Sequence, residues 1–471
     1  MGRRAVIKKE YVIALILLSV LVFSKVLLRP FGILDEIWNY NNSRVMTMGE
    51  VPYRDYNLLQ TPLFFFLFSL PLHIQRSLFV YRLTSAVMLV AEAFVFYRVT
   101  SRRTGHLWGL IGAALLVAFM DIATYNSMFF VVVCITYSLL CVEGSKKRAV
   151  LLGMLCALSI LFRQTSGVVL NAVVIIFIVK NVSLRKYIVQ FTVGWAAILA
   201  PFAAILIATG SFFAFWDYCF FALFTVGSSN ARIMDTAFAM ILITVAGVII
   251  DIYMIRKKRD KTSIYHLVMG AVLITVALPI LDMMHMHYSG AWFIIPAIRL
   301  LHSFGEEQIK PTLLKLIIGV VSSTVLFLNV YGVIGYGMDN HYRELRYIPL
   351  DKSDLGLYEN INNICDKYRA QGKRVVVLST IAPIISIMNE DQNSPFDMFL
   401  EGNLGTEDPL AIVEELVHDE NTVIVIHCNY QEENWQHPSG VLQVVQDNCD
   451  PVEAYGEFIW YVPRVSSSAE A

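Results

Sequence analysis

Four carboxylates stand close together in a polar segment near the start of the chain. Asp35 and Glu36 come soon after a first apolar stretch, and Glu50 and Asp55 follow within residues 30–60. Carboxylates near a membrane surface are costly to ionise and are often functional, for example as general bases. Asp35 also precedes a periodic stretch, where an aspartate commonly caps a helix. The sequence leaves both catalysis and capping open for Asp35.

The same segment carries residue types that suit contacts with a sugar. Tyr53 offers a ring that can stack on a sugar ring, and Asp55 and Gln60 offer hydrogen-bonding groups. Aromatic side chains also collect at membrane–water interfaces, where they anchor a protein without binding a substrate. We therefore treat Tyr53, Asp55 and Gln60 as candidate substrate-binding residues, with an interfacial belt as the alternative.

Two further polar groups lie between apolar stretches later in the chain. Arg163 suits a phosphate because a guanidinium pairs with two phosphate oxygens, although it could also be a snorkelling anchor. Asp282, His285, His287 and Tyr288 form the second group. Histidines at i and i+2 do not share a helix face, so this pair needs a loop or strand to bind one metal ion. We predict hydrogen bonds to a substrate from His285, His287 and Tyr288, and a divalent metal stays open.

Composition excludes an ordinary soluble enzyme. Of 471 residues, 56% are hydrophobic and only 16% are charged, against about 25% charged in soluble domains. Residues 1–337 hold 29 Lys+Arg and 15 Asp+Glu, whereas residues 338–471 hold 8 and 23. The seven cysteines show no CxxC spacing, so neither a zinc site nor a disulfide framework is indicated. We predict a membrane part over residues 1–337 and an acidic domain over residues 338–471.

Apolar stretches of membrane-spanning length recur through residues 1–337, and a crossing needs about 20 residues. The first is long and has no small-residue cleavage site after it, which predicts a retained anchor and not a signal peptide. Positions 61–74 are interrupted by Pro62 and Pro71, and we predict an interfacial helix there, at the end of a first outer loop that covers residues 30–76. The predicted fold class is a polytopic α-helical membrane protein with about eleven crossings, near residues 11–29, 78–98, 107–122, 126–142, 149–161, 167–180, 187–208, 236–255, 264–281, 290–301 and 312–337.

Basic residues predict the orientation of these crossings. With eleven crossings, the N-terminus and five later clusters, which together hold 21 of the 29 Lys+Arg residues, fall on one side. Positively charged loops are cytoplasmic. We therefore predict a multi-pass protein of a bacterial plasma membrane with a cytoplasmic N-terminus, a cytoplasmic loop at residues 256–261, and residues 431–438 outside with the rest of the C-terminal domain.

The C-terminal part changes from apolar runs to alternating helices and strands. We predict helices over residues 355–370, 409–417 and 440–447, and strands over residues 374–379, 422–427 and 458–462, which indicates a small α/β domain. No glycine-rich nucleotide motif is present in the sequence. We expect this domain to shape acceptor access.

The order of these features resembles a known superfamily. A basic-flanked helix, then Asp35-Glu36, then the segment GEVPYRD at residues 49–55, then Pro62 opening an apolar helix, is similar to the GT-C integral-membrane glycosyltransferases, in particular the protein O-mannosyltransferase and aminoarabinose-transferase branch. The resemblance implies a polyprenyl-phosphate sugar donor, and it places the essential acidic residue on Asp35, with Glu36 beside it. A lone Asp121 stands where many relatives carry a second acidic motif, which argues against an Asp-x-Asp metal site.

The resulting prediction is a glycosyltransferase that acts on the outer face of the membrane. Asp35 would be the general base of an inverting transfer to a glycan, lipid or protein acceptor. Membrane lipids are expected partners, and nucleic acid is not. The alternative is a polytopic transporter or flippase of lipid-linked sugars. Transporters usually show internal repeats and helices broken at mid-membrane, whereas here the polar residues are predicted to cluster at one face.

Overall fold

The computed structural model describes residues 9–32, 34–223, 232–278, 280–305, 310–391, 397, 399, 404–427 and 440–464. The predicted outer segment at residues 431–438 lies outside the described residues. Contacts divide the chain into two units. The first comprises Met1–Arg29, Arg82–Ala204 and Ala231–Ile334, and the second comprises Pro30–Tyr81, Ile205–Asn230 and Gly335–Ala471. The predicted domain boundary after residue 337 stays a prediction.

Helices dominate the N-terminal three quarters of the chain. They are α1 (Lys9–Leu27), α2 (Asp35–Met46), α3 (Leu63–Leu72), α4 (Leu78–Thr104), α5 (His106–Phe119), α6 (Tyr125–Leu140), α7 (Lys146–Phe162), α8 (Gln164–Lys180), α9 (Val182–Arg185), α10 (Ile188–Ala208), α11 (Phe212–Trp216), α12 (Phe238–Lys258), α13 (Lys261–Ile274), α14 (Met283–Gly305) and α15 (Pro311–Tyr331). Each predicted crossing coincides with one of these helices. The short α3 lies within the stretch predicted to be interfacial.

Five of the described helical stretches are long and apolar enough to cross a membrane, by length and composition: Lys9–Leu27, Leu78–Thr104, Ile188–Ala208, Asp235–Lys257 and Pro311–Tyr331. Their outward side chains are apolar, as lipid contact requires; on α15, for example, Leu316 and Phe327 are exposed. The chain is therefore an integral membrane protein. The count of eleven crossings stays a prediction, because the remaining apolar helices are shorter.

The start of α14 differs from the prediction. The sequence suggested a junction before a crossing at residues 290–301, but the helix begins at Met283. Asp282 accepts a hydrogen bond from the backbone N–H of His285 (2.8 Å) and so supplies a helix cap. Hydropathy did not predict this first turn, because it contains the polar side chains of His285 and His287.

Close helix packing in the first unit depends on glycine. A Cβ added at Gly153 of α7 would lie 2.0 Å from the carbonyl oxygen of Phe191 on α10, and one added at Gly194 would lie 2.1 Å from that of Val150. The two helices therefore approach through reciprocal glycines, as is common where membrane helices pack without a hydrophobic driving force.

The C-terminal residues of the second unit form a four-stranded sheet. Its strands are β3 (Arg374–Leu378), β4 (Thr422–His427), β5 (Cys449–Tyr455) and β6 (Phe458–Pro463), in the order β3-β4-β6-β5; β1 (Arg232–Ile233) and β2 (Ile280–Leu281) are a separate short pair. Strands β3 and β4 are parallel, and β6 is antiparallel to both neighbours. Helices α16 (Lys352–Arg369), α17 (Ala382–Met388), α18 (Pro409–Val417) and α19 (Val441–Asn448) complete this part.

Candidate active site

Asp35 and Glu36 open the helix α2, and their surroundings differ. Asp35 is exposed, whereas Glu36 is 2% exposed. The N-cap position is Leu34, which provides no side-chain cap, so Asp35 is the first helical residue. Asp35 therefore does not occupy the N-cap position, and the capping alternative is wrong. A carboxylate in the first helical turn still interacts favourably with the helix dipole.

The rest of α2 is a buried polar helix held by an ion pair. Tyr40 donates a hydrogen bond from its hydroxyl to Glu344 Oε2 (2.8 Å), and Arg44 Nε lies 3.6 Å from the same oxygen. Arg76 Nε lies 3.8 Å from Glu344 Oε1. Burial raises the pKa of Glu344, and the nearby Arg44 opposes part of that rise. No pattern in the sequence linked α2 to a residue 300 positions away.

The network of α2 continues into the C-terminal residues of the same unit. Arg44 Nη2 donates to the carbonyl oxygen of Asp391 (2.6 Å). Asn41 donates to Asp397 (3.0 Å), which also accepts from Ser386 (3.0 Å). Buried polar groups that satisfy one another in this way fix a unique arrangement, so the helix that begins with Asp35 is rigidly positioned.

The predicted substrate-binding residues Tyr53 and Asp55 belong to a tight turn. Asp55 accepts from the backbone N–H of Val51 (2.8 Å) and from Arg54 through two bonds (2.8 and 2.7 Å). The hydrogen bond with Arg54 lowers the pKa of Asp55. Tyr53 has a φ of +68°, and its N–H donates to the carbonyl oxygen of Tyr56 (2.9 Å). Asp55 therefore organises this turn, and a role for it in substrate binding stays a prediction.

Tyr53 and Gln60 are brought together by this turn. The Tyr53 hydroxyl donates to the carbonyl oxygen of Gln60 (2.6 Å) and accepts from the thiol of Cys219 (3.4 Å). The Tyr53 ring packs edge-on against Phe215, with 5.4 Å between centroids. Within the described residues, the side-chain oxygen of Gln60 is buried without a hydrogen-bond donor. Gln60 is thus the candidate in this loop with unused hydrogen-bonding capacity.

Arg163 lies in the first unit, at the junction of α7 and α8. Its Nη1 donates to Asn126 Oδ1 (2.5 Å), and its Nη2 donates to the carbonyl oxygen of Val276 (2.7 Å). The guanidinium lies over the ring of Tyr125, 5.6 Å from its centroid. Its Nε is buried and has no acceptor in the described part of the chain. Arg163 thus ties α6 to the segment just after α13, and these contacts leave its Nε–H unused.

Tyr288 contacts Ser127, which is adjacent in sequence to Asn126, the hydrogen-bond partner of Arg163. Its hydroxyl is hydrogen-bonded to Ser127 (2.9 Å), and Ser127 follows Asn126 at the start of α6. His287 stacks obliquely on Tyr288, with 3.8 Å between centroids, and its Nδ1–H donates to the carbonyl oxygen of Met284 (2.6 Å). Arg163 and Tyr288 therefore both contact the start of α6, and a role in substrate binding for either residue stays a prediction.

The residues considered for a metal form hydrogen bonds within the protein. His285 Nδ1–H donates to Asp282 (2.8 Å), the residue that caps α14. His285 and His287 are both helical and do not share a face. Among the described residues, no group of three His, Cys, Asp or Glu side chains is arranged to hold a metal ion. Asp121 pairs with Arg29 in an ion pair.

Comparison with known proteins supports the fold. Neither a protein family nor a curated protein sequence matches the chain. The structure is similar to the aminoarabinose transferase ArnT of Cupriavidus metallidurans in the apo state, with a TM-score of 0.61 and 11% identity over 96% of this chain and 97% of that one. For ArnT bound to undecaprenyl phosphate, the TM-score is 0.50 at 12% identity over 97% and 98%.

A second membrane enzyme shares the architecture. The oligosaccharyltransferase of Archaeoglobus fulgidus in the apo form has a TM-score of 0.55 and 11% identity over 97% of this chain and 75% of that one. Both neighbours are GT-C glycosyltransferases. The resemblance to the GT-C superfamily is therefore confirmed as a likeness of fold that extends over nearly the whole chain.

Proposed function

We propose that the chain is an integral-membrane glycosyltransferase that takes a sugar from a polyprenyl-phosphate carrier. The observation that carries this proposal is the end-to-end likeness of fold to ArnT, a protein whose structure has been described with undecaprenyl phosphate bound. An apolar carrier suits a protein whose long helices expose apolar side chains.

The reaction we propose is a single displacement at the anomeric carbon. Asp35 removes the proton from an acceptor hydroxyl while the oxygen forms a bond to that carbon. The bond from the carbon to the carrier phosphate breaks on the opposite side, so the configuration is inverted. The proton ends on Asp35, and the electron pair leaves with the phosphate.

Support for Asp35 as the base comes from its accessibility. It is exposed at the start of a helix whose remaining residues are fixed by buried hydrogen bonds, whereas its neighbour Glu36 is almost completely buried. A base must reach the proton that it removes. Glu36 is therefore assigned a secondary role, in shaping the start of α2.

We further propose that Arg163 contacts the phosphate of the donor through its Nε–H. Tyr288, His285 and His287 are proposed as hydrogen-bonding residues near that helix junction, and Tyr53, Asp55 and Gln60 as residues that position the acceptor side. The eleven crossings, the cytoplasmic N-terminus and the outer C-terminal domain belong to the same proposal, because basic residues collect at alternate helix ends.

Mass spectrometry of cell-envelope glycans from cells with and without the protein tests this function. A transferase is expected to account for one sugar residue on an otherwise complete glycan. Loss of a whole glycan, with no residue missing from those that remain, would contradict the proposal and favour a flippase.

A further inference from the structure

The middle of helix α4 carries a buried carboxyl group. Glu92 is completely buried, and α4 is one of the helices that are long and apolar enough to cross a membrane. Within the described residues, neither carboxyl oxygen of Glu92 has a hydrogen-bond partner. Ionisable side chains are costly inside a membrane and usually serve a function there, so packing alone does not account for Glu92.

Glu92 lies where α4, α6 and α14 meet. Its carboxyl group faces the hydroxyl of Ser127, near the start of α6. One turn further along α4, Phe96 packs on Phe130 of α6, with 5.8 Å between ring centroids. Phe130 in turn packs on Tyr288 of α14, with 5.6 Å between centroids. The carboxyl group is therefore enclosed by the helices that carry Ser127 and Tyr288.

The neutral acid is the form of Glu92 that suits this place. Burying a carboxylate without a partner is very costly, and no basic side chain in the described part of the chain offsets its charge. A neutral carboxyl group carries an O–H that it can donate. The hydroxyl of Ser127 faces it and is the acceptor for this proton.

The hydrogen bonds of Ser127 determine the consequence of such a bond. Its hydroxyl accepts from the backbone N–H of Thr124 (3.3 Å) and lies 2.9 Å from the hydroxyl of Tyr288. A hydroxyl accepts two hydrogen bonds and donates one. If Glu92 donates to Ser127, both acceptor positions are filled, and Ser127 must donate to Tyr288. An ionised Glu92 would instead accept from Ser127, and Tyr288 would have to donate to Ser127.

The direction of this chain matters because Tyr288 lies beside Arg163. The two side chains interact electrostatically, and Asn126, which accepts from Arg163 (2.5 Å), directly precedes Ser127 in sequence. The Tyr288 hydroxyl also faces Thr124, a neutral acceptor. A phosphate oxygen is a stronger acceptor than a hydroxyl, because hydrogen bonds to charged groups are the stronger ones.

We propose that Glu92 is a positioning residue that directs the hydroxyl of Tyr288. As a neutral acid it donates to Ser127, and Ser127 donates to Tyr288, so that the O–H of Tyr288 is offered beside Arg163 to the phosphate of the donor. This inference rests on the proposed function and adds a residue that does not touch the reacting atoms. It also accounts for a buried carboxyl group at a position where an apolar side chain would be more stable.

Two substitutions of Glu92 separate hydrogen bonding from packing. The measurement is the affinity of the purified full-length protein, in a neutral detergent, for undecaprenyl phosphate. Glu92→Gln keeps an N–H donor for Ser127 and should keep Kd within about twofold of the unsubstituted protein. Glu92→Met has a similar size but no donor, and it should weaken binding at least about tenfold, the worth of a hydrogen bond to a charged group. Its melting temperature should stay equal or rise, because an apolar side chain replaces an unpartnered carboxyl group.

A control and a double-mutant cycle show where Glu92 acts. Leu89→Met lies one turn earlier on α4 at an almost completely buried position, and it should change neither affinity nor melting temperature. Tyr288→Phe should weaken binding by a factor similar to that of Glu92→Met. Adding Glu92→Met to Tyr288→Phe should have no further effect, because both substitutions remove the same donor.

Infrared spectroscopy reports on Glu92 in the absence of a ligand. The unsubstituted protein should show a carbonyl band of a protonated carboxyl group that is missing from Glu92→Gln. That band should shift in Ser127→Ala, in which the acceptor of the hydrogen bond is lost, and it should persist unchanged in Leu89→Met. Without such a band Glu92 is ionised, and the inference fails.

The binding data can also overturn the inference. Normal affinity of Glu92→Met would show that Tyr288 needs no such support, and the transferase proposal would stand if sugar transfer is measured. A Glu92→Gln variant as weak as Glu92→Met would mean that the carboxylate is required in its ionised form. If the variants behave as expected but the protein transfers no sugar, the transferase proposal fails while the role of Glu92 in phosphate binding stands.

Discussion

Asp35 and Glu36 are neighbours in sequence, but folding gives them opposite surroundings. Because Asp35 is exposed and Leu34 occupies the N-cap position, replacing the carboxylate should cost little stability. We expect Asp35→Asn to lower turnover by at least about 10²-fold, the usual worth of general-base catalysis, with a nearly unchanged melting temperature. Transfer assays at matched expression measure this effect.

A matched control for this variant is Asp354→Asn. Asp354 is an exposed carboxylate in the first turn of α16, so it provides the same substitution in the same local structure. It should leave turnover unchanged. Near-normal activity in the Asp35 variant would mean that the catalytic carboxylate lies elsewhere.

A second prediction at the residue scale concerns Arg163. Two of its nitrogens hold Asn126 and the carbonyl oxygen of Val276, and a lysine ammonium cannot reproduce that planar set of donors. We expect Arg163→Lys to lower kcat/KM for the donor by about 10- to 100-fold, equivalent to about 1.5–3 kcal/mol for a charge-assisted hydrogen bond.

The control for Arg163→Lys is Arg148→Lys, on a half-buried arginine that donates to the carbonyl oxygen of Glu143. It should have normal donor kinetics. If Arg163→Lys lowers the melting temperature but keeps a normal donor KM, then Arg163 serves only to join α6 and α13.

At the scale of elements, α2 depends on a charge supplied by a distant segment. Glu344→Gln would leave the Arg44 guanidinium buried without its ion-pair partner. Removing one partner of a buried pair typically costs about 3–5 kcal/mol, and we expect a loss of this size in the free energy of unfolding. The control Glu453→Gln removes a partly exposed pair with Lys367 and should cost less than about 1 kcal/mol. Equal losses in the two variants would contradict a buried anchor.

A turn before α18 provides another test at this scale. Gly405 has a φ of +69°, and a Cβ there would lie 2.1 Å from Asp217 Oδ2, which accepts from the N–H of Thr406 (3.0 Å). Gly405→Ala should therefore lower the free energy of unfolding by about 1–3 kcal/mol, through backbone strain and this clash. Gly356→Ala, at a helical position with open space around the added Cβ, should be neutral or slightly stabilising. An unchanged Gly405 variant would show that the turn readjusts freely.

For the whole molecule, the central prediction is the side of the membrane on which each loop lies. In a variant whose native cysteines are replaced, Lys257→Cys should resist an impermeant thiol reagent added to intact cells, whereas Glu415→Cys should react. Both side chains are exposed in the structure, so a difference in labelling would report the membrane side. Reaction of the Lys257 variant from outside would contradict the eleven-crossing arrangement.

The sequence by itself determined the helices at the predicted crossings, α3 and most of the C-terminal elements, but not the short helices α9, α11 and α17. Apolar runs and their interruptions are local signals, so α3 and the helices at the predicted crossings were readable from hydropathy. Strand β5 was missed because it is paired only with β6, is largely exposed, and carries an irregularity near Pro451. An exposed edge strand lacks the apolar alternation that identifies a buried one.

Tertiary structure decided which polar residues are buried, paired or exposed. Glu344 reaches Tyr40 and Arg44 across 300 positions, and no local pattern records such a pair. Asp35 and Glu36 are the same chemical group in sequence, and only the packing of α2 leaves the first exposed and buries the second. Hydropathy predicts what must leave water, whereas the partners of polar groups depend on which segments the fold brings together.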